Sequence, residues 1–332
     1  MPWFDLPLDQ LRQHRTETAE PEALTRWWDE RLGEAHAAAR PARVTRHEPG
    51  IYGPLAVHDV EFSGAHGDRV RGWYLRPPGS GARDVPVVVK FIGYGGGRGT
   101  PTEHTALPAT GYALLVMDSR GQGGRWSTGA TGDPAANGTG PENASVMTRG
   151  ITHPEDYYFT RLFVDAVRAV ETAAELDGTD PARIAVSGSS QGGGLALAAA
   201  ALTTSALATA KVAVCHADVP FLCDIQRAIT LAPAAPYTEV PEFLARNVEL
   251  IPAALDTLRY IDCALLARRI TAECLLSTGL MDDVCPPSTV FAAYNEITAA
   301  KDIAVHPFSG HAVPASHTER QIQHLRKVLP AD

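Results

Sequence analysis

Short, nearly continuous apolar runs recur along the chain and alternate with stretches of helical periodicity. Val87-Val88-Val89-Lys90-Phe91-Ile92 and Tyr112-Ala113-Leu114-Leu115-Val116-Met117 are apolar at almost every position. Strands of that kind suit a sheet covered on both faces, where the usual in–out alternation disappears. Residues 56–62 alternate instead, and residues 70–75 do so more loosely. With Gly64, His66 and Gly67 between them, the two predict an antiparallel hairpin at a sheet edge. Helical periodicity follows at Leu162, Phe163, Ala166, Val167 and Val170. Further strands are predicted at 184–187, 212–215, 274–277 and 303–305; helical stretches follow the last two, near 288–300 and 316–328. A hairpin followed by alternating strand and helix predicts an α/β fold with a doubly wound, mostly parallel sheet.

The remaining segments decorate that sheet. Residues 1–40 read as a helical extension, with a short helix from Leu8 and a longer one over 21–39, where Pro21 suits a first turn. The extension lacks the apolar residues for a core of its own, so it is predicted to wrap the main body. Residues 123–156 are polar and Gly-rich without periodicity, and loops that long in compact domains are often functional. Residues 220–268 form a mostly helical insertion, broken at Pro233-Ala234-Ala235-Pro236, where a lid or a subunit contact is expected. No linker or internal repeat divides residues 1–332, so one domain is expected.

Composition narrows the function classes. The chain has 332 residues, 45% apolar and 20% charged, enough for a large core. A net charge of −9 with no basic run excludes a nucleic-acid or anionic-membrane partner from the expectation. No segment is long and apolar enough to span a bilayer, and Met1 to Gln10 has neither the basic nor the apolar region of a signal peptide. The five cysteines, at 215, 223, 263, 274 and 285, are odd in number and show no C-x-x-C spacing. They are expected to be buried thiols in a cytoplasmic protein, with no metal site.

One motif carries chemistry. Gly188-Ser189-Ser190-Gln191-Gly192 fits G-x-S-x-G, with the strand 184–187 before it and the small-residue helix start Gly193-Gly194-Leu195-Ala196 after it. A bare Gly/Ser turn capping a helix would look similar, with Ser190 as N-cap. The strand–turn–helix context favours a nucleophile elbow, with Ser190 lifted clear of the sheet and the Gln191 N–H aimed at a developing oxyanion.

A serine hydroxyl needs a histidine to take its proton and a carboxylate to hold that imidazole. In elbow proteins the order along the chain is Ser, acid, His, with each partner in a loop beyond a strand. After the strand 274–277 stand Asp282 and Asp283, and position alone does not separate them. After the strand 303–305 stands His311; His306 sits at the strand end and His317 opens the last helix. The loop Gly93-Tyr94-Gly95-Gly96-Gly97 follows an early strand, which makes the Tyr94 N–H the second oxyanion donor. Neither G-x-G-x-x-G nor G-K-[ST] occurs there, so nucleotide binding and cofactors are not expected.

These residues resemble a known family, the acetyl xylan esterases and cephalosporin C deacetylases of the seventh carbohydrate esterase family. The likeness rests on Arg120-Gly121-Gln122, the G-x-S-Q-G at 188–192, His311, and the run from Gly279 through Cys285-Pro286-Pro287-Ser288-Thr289-Val290-Phe291-Ala292-Ala293-Tyr294-Asn295. Phe4-Asp5-Leu6-Pro7-Leu8 fits the usual start of such proteins, and the likeness covers nearly the whole chain. It implies an α/β-hydrolase fold, with Ser190 as nucleophile, Asp282 rather than Asp283 as acid, His311 as base, and Tyr94 and Gln191 as oxyanion donors. It further implies removal of acetyl groups from sugars and small alcohols without metal or cofactor, by a cytoplasmic homohexamer. A thioesterase, peptidase or acyltransferase on the same scaffold is the alternative. One departure stands out: the family's H-E pair is His311-Ala312 here, which leaves local loop order and subunit contacts open. Arg120 is expected to tie loops together rather than take part in the chemistry.

Overall fold

The structure is a computed structural model and describes residues 4–80, 84–134 and 145–331. Residues 135–144, the centre of the predicted 123–156 loop, lie outside the described residues.

The strands are β1 (Arg43–Arg46), β2 (Ala56–Ser63), β3 (Arg69–Arg76), β4 (Val85–Phe91), β5 (Ala113–Met117), β6 (Thr179–Ser189), β7 (Val214–Asp218), β8 (Glu273–Gly279) and β9 (Lys301–His306). They form one sheet in the order β1-β2-β3-β5-β4-β6-β7-β8-β9. From β5 to β9 every neighbouring pair is parallel. The pairs β1–β2, β2–β3 and β3–β5 are antiparallel.

Both faces are covered, which is why the central strands show no polar alternation. Val87, Val89 and Phe91 of β4 join Ile184 and Val186 in a large cluster shared with the helices Tyr158–Glu175 and Gln191–Leu202. Val88 and Ile92 point the other way. They pack with Leu114, Val116, Ala185 and Val214 against Leu325 and Leu329, at the end of the helix Ala315–Val328. The helix after the serine is buried along its whole length, and glycine lets it be: a Cβ on Gly192 would fall 2.4 Å from the Phe91 carbonyl oxygen.

Three sequence expectations need correction. The hairpin β2–β3 is not the sheet edge, because β1 pairs outside it. All four β1 residues are exposed, so no apolar pattern announced the strand. The longer N-terminal helix begins at Leu24 rather than Pro21; the Leu24 N–H bonds the Pro21 carbonyl in a preceding turn. Strand β7 starts at Val214, two residues late.

The N-terminal helices pack along the main body. Leu24, Trp27, Trp28, Leu32 and Ala35 enter the main cluster, and Leu11 packs on Leu280 and Phe291. The region between β7 and β8 carries the helices Ile225–Leu231, Glu239–Leu244, Ile251–Tyr260 and Cys263–Leu266, whose apolar residues join the same cluster. All five cysteines are free and buried. Among the described residues, no helix is long and apolar enough to cross a membrane, and no group of side chains could hold a metal ion.

Candidate active site

Ser190 stands between β6 and the helix Gln191–Leu202 with φ 58° and ψ −120°, a conformation side chains rarely adopt. The surroundings hold it there. Its N–H donates to the Asp218 carbonyl of the neighbouring strand (2.9 Å), and its carbonyl accepts from Phe221 (2.9 Å). A Cβ on Gly188 would lie 2.3 Å from the carbonyl carbon of Gly192, so the first and last glycines of the motif touch. The hydroxyl does not cap the helix. It faces His311 instead.

His311 and Asp282 arrive from loops beyond β9 and β8, adjacent strands of the sheet. His311 Nε2 lies 2.8 Å from Ser190 Oγ, and His311 Nδ1 lies 2.9 Å from Asp282 Oδ2. A carboxylate can only accept, so Nδ1 carries the proton and Nε2 is left to receive one from the serine. The other oxygen of Asp282 accepts the N–H groups of Val284 and Cys285, each at 2.9 Å. Asp282 is wholly buried, whereas Asp283 is half-buried and does not meet His311. Position left the two open, and this turn separates them.

The His311 loop closes without the family's glutamate. Ser309 N–H donates to His306 (3.2 Å), Met281 N–H to Ser309 (3.0 Å), and Ala312 N–H to Gly310 (2.8 Å). The exposed Ala312 side chain takes no part in this closure. His306 and His317 are removed from the relay: His317 Nε2 donates to Asp218 over 2.8 Å, and the His306 ring stands edge-on to it.

A cavity of about 430 Å³ opens on this relay. Ser190 and His311 line it with Gly93, Tyr94, Arg125 and Trp126; Ala235 and Pro236 of the insertion's break border it too. Tyr94 therefore sits at the pocket, while Gln191 opens the buried helix, where a first-turn N–H has no partner within the helix. The peptide joining Tyr94 to Gly95 is pinned at both ends. Trp126 Nε1 donates to its carbonyl (2.9 Å), and its N–H donates to Gln122 Oε1 (2.6 Å). The Tyr94 hydroxyl donates to Glu239 (2.9 Å). Burial, then the Glu239 charge, holds that phenol well above its usual range, so it stays neutral.

Arg120 is buried and ties loops, as expected. It forks onto both oxygens of Asp165 (2.6 and 2.8 Å) and reaches Asp68 (3.0 Å) and Asp133 (3.3 Å). Its neighbour Gln122 does what sequence reasoning missed, as do Trp126 and Glu239. Their partners lie far away along the chain, and only the R-G-Q likeness pointed near them. Lys90 also lines the pocket; burial pushes its ammonium down, and it faces His104 Nδ1 at 3.4 Å.

The mostly parallel sheet, the strained serine turn and the three-residue relay define a hydrolase of the α/β-hydrolase class. The chain belongs to the acetyl xylan esterase family, carboxylic ester hydrolases whose common sequence it matches over residues 1–328. It is similar over 98% of its length to the acetyl xylan esterase of Paenibacillus sp. R4, with 32% identity, a TM-score of 0.90 and 100% of that chain covered. Acetyl xylan esterase 1 of Thermoanaerobacterium sp. JW/SL YS485 gives 31% identity and a TM-score of 0.87, over 98% of this chain and 99% of that one. The acetyl esterase Axe7A of Xylanibacter ruminicola is 31% identical over 181 residues, 54% of this chain and 39% of that protein. The chain thus spans well under half the length of this curated relative.

Proposed function

We propose that the protein is a serine esterase that removes acetyl groups from acetylated xylo-oligosaccharides and small acetyl esters, cephalosporin C among them. The observation that carries this reading is the unbroken run of hydrogen bonds from Ser190 through His311 to Asp282, at 2.8 and 2.9 Å. Three loops far apart in sequence converge on one polarised hydroxyl.

In the proposed reaction, Ser190 Oγ attacks the acetyl carbonyl as His311 Nε2 takes its proton. Asp282 stabilises the imidazolium that results and keeps its orientation. The carbonyl oxygen gains negative charge and rests on the N–H groups of Tyr94 and Gln191; one such donor is typically worth about 100- to 1,000-fold in rate. His311 returns the proton to the departing alcohol. Water then enters and attacks the acyl-serine as it gives its proton to the same nitrogen; His311 passes that proton to Ser190 Oγ as the acyl bond breaks and acetate leaves.

The test is acetate release from acetylated xylo-oligosaccharides, cephalosporin C and 4-nitrophenyl acetate. Ser190→Ala should abolish it while the circular dichroism spectrum stays unchanged. Near-normal turnover in that variant overturns the reading. A panel of acyl lengths separates it from a thioesterase, since an acetyl esterase loses rate steeply as the chain grows.

A further inference from the structure

Among the described tryptophans, Trp27, Trp28 and Trp73 are buried, and Trp126 is 63% exposed. Its indole lines the cavity that holds Ser190 and His311, where an aromatic face can meet a ligand. Its pose is fixed. The ring N–H holds the Tyr94 carbonyl, and the benzo ring lies on the glycine turn: a Cβ on Gly96 would fall 2.2 Å from Cζ2, and one on Gly93 3.5 Å. Side-chain-free backbone supports one side of the indole while the rest borders the cavity that holds Ser190 and His311. Arg125 lines the cavity beside it, its side chain 60% exposed and its guanidinium 5.5 Å from the Tyr94 ring and 4.0 Å from Glu239.

An apolar plate flanked by hydrogen-bond donors matches the two-sided chemistry of a pyranose. One face of the sugar presents C–H groups, which suit the negative face of an aromatic ring. Its edge presents hydroxyls, which accept from a guanidinium. We infer that Trp126 is the stacking platform for the sugar ring of the leaving alcohol, with Arg125 donating to the oxygens that ring carries, acetylated or free. The inference rests on the esterase reading above and adds the residue that favours a sugar ester over a simple alkyl ester.

Trp126 has two separable contributions, its plane and its N–H. Trp126→Phe keeps an aromatic plane and loses the bond to Tyr94; Trp126→Ala loses both. The kcat and KM of each are compared on xylose tetra-acetate and on methyl acetate, which has no ring to stack. The phenylalanine variant should slow both esters in the same proportion. The alanine variant should show a further rise in KM, roughly tenfold, on xylose tetra-acetate alone. Equal effects of both variants on both esters overturn the platform. A second readout does not need the alanine variant to fold: xylose tetra-acetate titrated into Ser190→Ala should shift the indole emission, and the shift should vanish when Trp126→Phe is added. No shift in Ser190→Ala also overturns the platform. Loss of hydrolysis in Ser190→Ala tests the esterase reading separately, so the two ideas fail on different measurements.

Discussion

Gln122 donates its side-chain amide to the Gln191 carboxamide oxygen over 2.8 Å, which joins the R-G-Q motif to the residue after Ser190. The same amide reaches the Tyr158 hydroxyl (2.8 Å), while Gln122 Oε1 accepts the Gly95 N–H (2.6 Å). One side chain therefore spaces the two backbone segments proposed to hold the oxyanion. Gln122→Ala should lower kcat on 4-nitrophenyl acetate by roughly 10- to 100-fold, somewhat less than losing a donor outright, with KM changed much less. Its unfolding midpoint should stay near that of the unsubstituted protein. A KM effect alone would make Gln122 a substrate contact instead.

Arg120 should matter to stability and not to chemistry. Burial alone would push its guanidinium down, but Asp165 and the hydrogen bonds to Asp165 and Asp68 hold the charge firmly in place. Arg120→Lys keeps the charge but cannot fork onto Asp165 while reaching Asp68 and Asp133. Leaving the wholly buried Asp165 with an unpaired oxygen should cost about 1 to 3 kcal/mol in urea unfolding at pH 7. Turnover per folded molecule should fall only a few-fold. Normal stability with lost turnover would give Arg120 a chemical role.

The sheet was legible because its central strands are buried on both faces, and their composition records that burial directly. Strand β1 was not, since Arg43–Arg46 is exposed at every position and is held by its pairing with β2. Ser190 and His311 were legible from a local pattern and from chain order. The choice between Asp282 and Asp283 depends on a turn in which one carboxylate accepts its own downstream N–H groups, and residue spacing does not encode that turn. Gln122 and Trp126 act on Gly95, Tyr94 and Gln191 across tens of residues, so no periodicity or short motif marks what they do.

The acid limb of stability should bear the mark of His216. Burial, then the nearby His324, pushes its imidazole down to about 3. Asp218 and His317 also act on it, upward and downward respectively. His216 Nε2 lies 2.9 Å from His324 Nδ1, and His324 Nε2 lies 3.2 Å from Glu273, so the neutral ring donates along a chain that ends on a carboxylate. An unfolded histidine titrates near ~6.5. Below that pH the unfolded chain binds a proton that the folded protein refuses until about 3. The contribution is therefore complete above ~6.5 and is lost as pH falls through that window, at up to about 1.4 kcal/mol per pH unit. His216→Gln keeps a donor for His324 and removes the titration. Urea midpoints at pH 7 and pH 5 should differ less in this variant than in the unsubstituted protein. An unchanged difference would sink the assignment.

The sharpest test of the site is the pair of neighbouring aspartates. Asp282→Asn keeps the size and one accepting oxygen for the Val284 and Cys285 N–H groups. Its amide nitrogen cannot accept from His311 Nδ1, so the ring is driven toward the tautomer that carries its proton on Nε2. That nitrogen then has no lone pair for the Ser190 proton, and turnover should fall by about 10,000-fold. Asp283→Asn changes a half-buried side chain away from the relay and should leave kcat within about twofold, as surface substitutions usually do. Steady-state hydrolysis of 4-nitrophenyl acetate near pH 7.5 reads both. Comparable losses in the two variants would mean that the loop acts through its overall charge or order. A loss only in Asp283→Asn would move the acid by one residue and discard the geometry described here.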